Sequence, residues 1–279
     1  MSNGDTIPKY IHGYELREQE RLIEQALILE PQIYEKVEFP KRLGQERVRL
    51  LEVGCGVGAQ TALLLRRYPY LDVTSIDASE KQISKAKSRA YGSGEDRVKF
   101  MTADARNMPF HSEEFGAAFI CFLLEHVTEP EGILKETARC LSPGSVIYVT
   151  EVFNQLFYIR PMTPTIEKYW HQMNALQMAY GGDPYVGARL RSLLTQNGFG
   201  HVQFEFRQQL LDFESREERT RLMSYWLELM LSAAPKLLQD KRIEAKDVEQ
   251  LKEDFKIAQA MRDSVFFFGL CQAKAVRIS

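Results

Sequence analysis

The chain has 279 residues, 44% hydrophobic and 27% charged, with 36 basic residues against 38 acidic ones. That supports one large α/β domain with an insertion, and the near-zero charge excludes a general electrostatic drive toward nucleic acid or an anionic membrane. There is no run of 18 apolar residues, the start MSNGDTIPKY has no signal-peptide core, and Cys55, Cys121, Cys140 and Cys271 lie far apart in mostly apolar surroundings. The expectation is a cytoplasmic protein with reduced core cysteines and no metal site.

Residues 15–35 carry helix formers, with Pro31 placed to kink or end the helix. A short apolar strand, VRLLEVG at 48–54, leads through glycines into the helix TALLLRRY at 61–68. Strand 71–77 precedes helix 80–90, strand 98–104 precedes a loop, and strand 117–123 precedes helix 130–141. A fifth strand covers 145–153. Strands alternating with helices of this length imply a parallel sheet with right-handed crossovers.

After residue 153 the rhythm changes. An aromatic- and methionine-rich stretch at 154–186 is followed by a helix at 188–198, a strand at 201–208, a helical block at about 215–262 and a last strand at 264–276. The predicted fold is a doubly wound, mostly parallel, Rossmann-like seven-stranded α/β sheet with an antiparallel C-terminal strand and a helical cap. Its predicted parts are an N-terminal helical lid (1–40), a core (41–153), a cap insertion (154–186), and the rest of the core (187–279) with its helical insertion.

In such a sheet ligands sit at the carboxyl ends of the strands, near the point where strand order reverses. Gly54, Gly56 and Gly58 follow strand one, so backbone approaches a ligand without a Cβ and the next helix offers N–H groups. A dinucleotide fingerprint from Gly54 and Gly56 asks for glycine at 59, where Ala59 stands. Glu52, two residues before Gly54, would repel a pyrophosphate and suits a cationic ligand such as an ammonium or sulfonium. NAD and NADP are not expected to bind. Asp77 and Asp104 end strands two and three and reach the same crevice as Glu52; carboxylates there suit a ribose and an exocyclic amine.

EVGCGVG, SIDAS, TADARNMPF, FLLEHV and LKETARCLSPG occur in this order over residues 48–152. Together they resemble class I S-adenosylmethionine (SAM)-dependent methyltransferases, specifically the small-molecule subgroup typified by ubiquinone and menaquinone methyltransferases. The resemblance implies SAM as cofactor, Asp77 on the ribose hydroxyls, Asp104 on the adenine amine and Ala105 beside it through backbone. Ala78, Gln82 and Phe122 complete the implied cofactor set. Gly116 and Ser145 depart from the family pattern at two positions of local packing.

For the acceptor side, His126 is the candidate base, beside Glu125, with Glu151 near the rim at the end of strand five and His171 in the insertion. Base catalysis contributes about 10²–10⁴-fold where the acceptor must lose a proton. Phe157, Tyr158, Tyr169, Trp170, Met173, Tyr180, Tyr185, Tyr225, Trp226 and Met230 are candidates for an apolar acceptor pocket or for plain core. YIHGYELREQERL at 10–22 resembles an N-terminal segment that folds over the cofactor in some natural-product members of the superfamily, which makes Tyr10, His12 and Tyr14 candidate lid residues. Gly181–Gly182 is the expected joint of a mobile cap, with Pro161, Pro164 and Pro184 interrupting its helices.

The expected activity is methyl transfer to a small, apolar or aromatic, natural-product-like acceptor, with no nucleic-acid or membrane partner; a homo-oligomer is compatible with the sequence. The alternative is a SAM-binding protein of the same fold that methylates a protein or catalyses another reaction.

Overall fold

The structure is a computed structural model, and it describes Ile11 and residues 16–90, 95–212 and 215–278. The candidate lid residues Tyr10, His12 and Tyr14 lie outside the described residues. Helix α1 (Leu16–Tyr34) leads to β1 (Val48–Val53), α2 (Ala59–Arg67), β2 (Leu71–Asp77), α3 (Glu80–Ala90) and β3 (Val98–Thr102). There follow β4 (Phe115–Cys121), α4 (Pro130–Cys140), β5 (Leu141–Ile159), α5 (Pro164–Ala179) and α6 (Leu190–Gln196). The chain closes with β6 (Phe199–Asp212), α7 (Arg216–Ser232), α8 (Ala234–Gln239), α9 (Ala245–Ala260) and β7 (Val265–Arg277).

The seven strands run in the order β3-β2-β1-β4-β5-β7-β6. The first five are parallel, and β7 is antiparallel to both β5 and β6. The order reverses between β1 and β4, whose register pairs Glu52 with Phe119 and Val53 with Ile120. A crevice opens beyond the carboxyl ends of such a pair.

The inner strands are largely apolar on both faces because both faces are covered. Leu50 and Phe119 face a core shared with α1, α2 and α7, whereas Leu51 and Ile120 face one shared with α4 and α6. Local signals set several helix starts. Thr163 caps α5 by accepting the Ile166 N–H at 3.2 Å, with Pro164 at the first helical position. Ser215 caps α7 through the Glu218 N–H. Pro31 sits one turn before the end of α1, and the helix runs on to Tyr34.

Two expectations are corrected here. Residues 154–159 do not begin a helical cap but extend β5, which runs on past a register shift between Val152 and Phe157 to pair with β7. The run Leu156-Phe157-Tyr158-Ile159 is rich in aromatic and β-branched side chains, which suit a strand. Strand three ends at Thr102, so Asp104 lies in the turn beyond it. Gly116 sits within β4, and Ser145 is buried with its Oγ donating to the Phe115 carbonyl at 3.4 Å, so both departures are accommodated locally.

Candidate functional site

The turn after β1 hangs from the end of β2: the N–H groups of Gly54 and Cys55 both donate to the Ile76 carbonyl, at 2.8 and 2.9 Å. All three glycines have positive φ, but each answers a different constraint. A Cβ on Gly54 would meet the Leu123 side chain, and one on Gly58 would press on Ala86 of α3 at 3.1 Å. Only Gly56 faces open space, with nothing within 4 Å of where its Cβ would stand. Gly56 is therefore where backbone can approach a ligand, and Gly58, expected to do the same, instead brings two helices together outside the cavity wall.

Glu52 is also corrected. It is buried beneath the turn and does not line the cavity; its Oε2 accepts hydrogen bonds of 2.6 Å from both Thr61 Oγ1 and Ser75 Oγ. Burial pushes its carboxyl up to about 7 despite those two donors. It braces the turn from beneath through Thr61 and Ser75.

Asp77, at the end of β2, does line the cavity. Its two oxygens accept the N–H groups of Gly56 and Ser79, each at 2.9 Å, which fixes the carboxylate while burial raises its pKa. Asp104 and Ala105, just past the neighbouring β3, line the same cavity, and Arg106 holds the Asp104 carboxylate at 2.7 Å and lowers its pKa. Ala78, Gln82 and Phe122 also line the cavity. Gln82 is almost fully enclosed, and its Oε1 has no partner among the described residues. An open cradle at Gly56, an oriented carboxylate at Asp77 and an unmatched amide oxygen at Gln82 together fit a nucleoside rich in hydroxyl and amine donors.

Beyond β4 the chain turns sharply at Phe122, whose φ is 55°. Glu151 lies under this turn. It is wholly buried, its Oε1 accepts the N–H groups of Leu123 (2.9 Å) and Leu124 (2.6 Å), and its Oε2 has no partner among the described residues. Burial first, and the nearby Glu125 charge second, push its carboxyl well above the usual range. Glu151 is not the rim acid that its place in the sequence suggests, because β5 carries its side chain inward under the turn. Glu125 and His126 do line the cavity, with Glu125 Oε1 3.5 Å from His126 Nε2.

The cavity, about 1070 Å³, runs past these residues into a second chamber walled by α1, α5, α7 and β7. Trp170, Met173, Tyr180, Tyr225 and Trp226 line it as the sequence suggests. The other aromatic and methionine candidates do not. Phe157 is buried behind the wall, stacked on Trp170 with centroids 4.2 Å apart, and Tyr169 and Met230 are core. Tyr185 packs edge-on against Phe153, while Tyr158 and His171 point to solvent. On β5 and α5 an alternating or helical repeat gives every second or third side chain to another face, which composition alone cannot sort.

Three sets of wall residues are not named by the sequence reading, although the first lies within the expected N-terminal helical lid (1–40). Helix α1 contributes Leu22, Ala26 and Leu29, an i, i+4, i+7 stripe that was the available signal. Next to it Arg21 makes a buried two-point pair with Glu18, at 2.6 and 2.8 Å. Gln60 faces the cavity with its Oε1 engaged by the Tyr34 hydroxyl. Asn154 and Gln177 supply polar groups to the chamber, and no motif marks them.

Gly181–Gly182 is not a loose joint. A Cβ at 181 would meet Thr128 Cγ2 at 2.5 Å, and one at 182 would clash with the Glu125 carbonyl oxygen. That carbonyl also accepts the Asp183 N–H at 2.9 Å. These glycines press the end of α5 onto the Glu125–His126 turn. Among the described residues no helix is long and apolar enough to cross a membrane, and no three His, Cys, Asp or Glu side chains are grouped to hold a metal ion.

Residues 51–149 match a family model described as a methyltransferase domain. The 27-O-demethylrifamycin SV methyltransferase of Amycolatopsis mediterranei (strain S699) is 36% identical over 107 residues, 38% of each chain. The demethylmenaquinone methyltransferase of Clavibacter sepedonicus is 36% identical over 103 residues, 37% of this chain and 40% of that protein. The chain thus spans about two fifths of the length of these curated relatives. The solved structure of the YcgJ protein from Bacillus subtilis shares the fold, with a TM-score of 0.55 and 13% identity over 95% of this chain and all of that one.

Proposed function

We propose that the whole chain, whose residues 51–149 match a methyltransferase-domain model, is a class I SAM-dependent methyltransferase of the small-molecule type and methylates a small, largely apolar or aromatic acceptor by in-line transfer. The observation that carries this reading is one continuous cavity with two unlike ends. The end built on Gly56, Asp77 and Gln82 suits the adenosyl and ribose groups of the cofactor, and the end built on Trp170, Trp226 and Phe268 suits an apolar acceptor.

SAM, when bound, supplies a methyl group on a sulfonium and leaves as S-adenosylhomocysteine, the C–S electron pair remaining on sulfur. Asp77 holds the ribose hydroxyls, and Asp104 with the Ala105 backbone meets the adenine edge. Glu52, beneath the turn, favours a cation over a pyrophosphate. The aromatic wall orients the acceptor and keeps water out, so that proximity supplies up to roughly 7–11 kcal/mol in the most favourable geometries. His126, steadied by Glu125, takes the proton where the acceptor nucleophile carries one.

Calorimetry with SAM and S-adenosylhomocysteine tests the cofactor end: micromolar binding is expected, and no binding of either overturns the reading. A screen of small-molecule acceptors with methyl-labelled SAM tests the other end. Label appearing only on protein would replace the small-molecule acceptor with a polypeptide.

A further inference from the structure

The acceptor chamber carries a polar edge whose hydrogen-bonding sense is fixed by the protein at Gln177. Gln177, nearly enclosed on α5, donates its Nε2 to Glu125 Oε2 at 2.9 Å and to the Glu125 carbonyl at 3.1 Å. A carboxylate and a carbonyl can only accept, so the amide of Gln177 has one orientation, and its Oε1 turns away from Glu125. Asn154, on β5, is anchored by a neighbouring amide, which holds its place without by itself choosing its orientation. Its Nδ2 donates to the buried Asn174 Oδ1 at 2.7 Å, while its own carbonyl accepts the Trp170 indole N–H at 3.0 Å.

Neither Gln177 Oε1 nor Asn154 Oδ1 takes a hydrogen bond from a described residue, and neither is sealed inside protein. Both side chains line the chamber beside the Glu125 carboxylate. Three oxygens with spare lone pairs therefore border an otherwise aromatic space. An approaching hydroxyl or N–H finds partners there; a carboxylate or phosphate would lose its hydration against like partial charges.

Building on the methyltransferase reading above, we propose that Asn154, Gln177 and Glu125 form a specificity edge for an uncharged acceptor that presents hydroxyl or N–H donors from an apolar frame, and that the same edge rejects anionic acceptors. The edge needs no mobile part, because Asn174 and Glu125 hold the two amides from behind.

The test uses matched probes, 2-naphthol and 2-naphthoate, titrated calorimetrically into the full chain saturated with S-adenosylhomocysteine near neutral pH. The naphthol is expected to bind at least about tenfold more tightly than the naphthoate, the scale of one well-placed hydrogen bond against an unpaired buried charge. Gln177→Met, and separately the double change Asn154→Leu with Asn174→Leu, should each lower that ratio severalfold. The double change removes both partners of one hydrogen bond, so it leaves no orphan and preserves the fold. S-adenosylhomocysteine affinity checks that each variant is folded. Equal or tighter binding of the naphthoate, binding of neither probe, or an unchanged ratio in both folded variants overturns the proposal. If the unaltered chain fails to bind S-adenosylhomocysteine, the cofactor reading falls and this proposal falls with it; the two failures are told apart at that first titration.

Discussion

Glu52 and Ser75 face one another across β1 and β2 as register partners, and the Ser75 hydroxyl donates a 2.6 Å hydrogen bond to Glu52 Oε2. Thr61 adds a second from α2. Even so, burial raises the Glu52 pKa to about 7. The folded chain therefore holds this proton more tightly than the unfolded chain, so Glu52 lowers stability as pH rises from the ordinary carboxylate pKa toward 7 and adds no further loss above it. The window of about 2.5 pH units corresponds to a contribution on the order of 3 kcal/mol. Glu52→Gln, which can still accept both hydroxyls, should be more stable than the parent at pH 8 by about 1–3 kcal/mol and nearly equal to it at pH 5. Urea unfolding at the two pH values checks this; a gain of the same size at both would remove Glu52 as the cause.

Asp77 is aimed by two backbone N–H groups. Asp77→Ala should weaken SAM and S-adenosylhomocysteine binding by more than about 1.5 kcal/mol, since it removes charge-assisted hydrogen bonds and frees the turn. Calorimetry on the two proteins decides it, and parental affinity in the variant would reassign the ribose site.

The three glycines should separate folding from binding. Gly56→Ala meets no neighbour, so its stability cost is that of a positive φ, about 1–2 kcal/mol, while the methyl intrudes on the cofactor space and abolishes binding. Gly58→Ala adds pressure on Ala86 and should cost more in melting temperature than in affinity corrected for folding. The reverse pattern would exchange their roles.

The end of α5 is docked onto the Glu125–His126 turn by close glycine contacts and by hydrogen bonds from Gln177 and Asp183. Amide exchange over residues 164–183 should therefore be slow without ligand and change little when S-adenosylhomocysteine is added. A large ligand-dependent gain in protection would restore the moving cap that Gly181–Gly182 suggests in the sequence. Phe157→Ala, behind the wall, should lower stability by roughly 3–5 kcal/mol through loss of its packing on Trp170 and Trp226. It should alter acceptor choice only indirectly, and a shift in choice at full stability would place Phe157 in the chamber.

The cofactor end was legible because its constraints are local: glycines next to a strand, and an acid at the end of the next strand, announce themselves within a few residues. The distinction among Gly54, Gly56 and Gly58 was not, since it depends on Leu123 and Ala86, which lie far along the chain. Glu151 misled for a related reason. Strand alternation says which face it takes only once the length of β5 is known, and that strand runs to Ile159. The acceptor wall was legible as a class of residue and not as a set of residues. Trp170 lines it and Phe157 does not, although the two rings stack on each other. Asn154 and Gln177 left no trace in the sequence because their function depends on which way an amide is turned.

The matched stretch 51–149 begins after α1 and stops within β5, so it leaves out the helices that wall the acceptor chamber, and α5 and α7 hang from the links between the last three strands of the chain. Selection for a new acceptor can thus rewrite Met173, Tyr225 or Trp226 without disturbing any residue that holds adenosine. The two ends are coupled chiefly at one short turn, 122–126, which belongs to both. A lineage carrying this architecture can change what it modifies many times while its donor stays fixed, and engineered libraries confined to α1, α5 and α7 should inherit the same freedom.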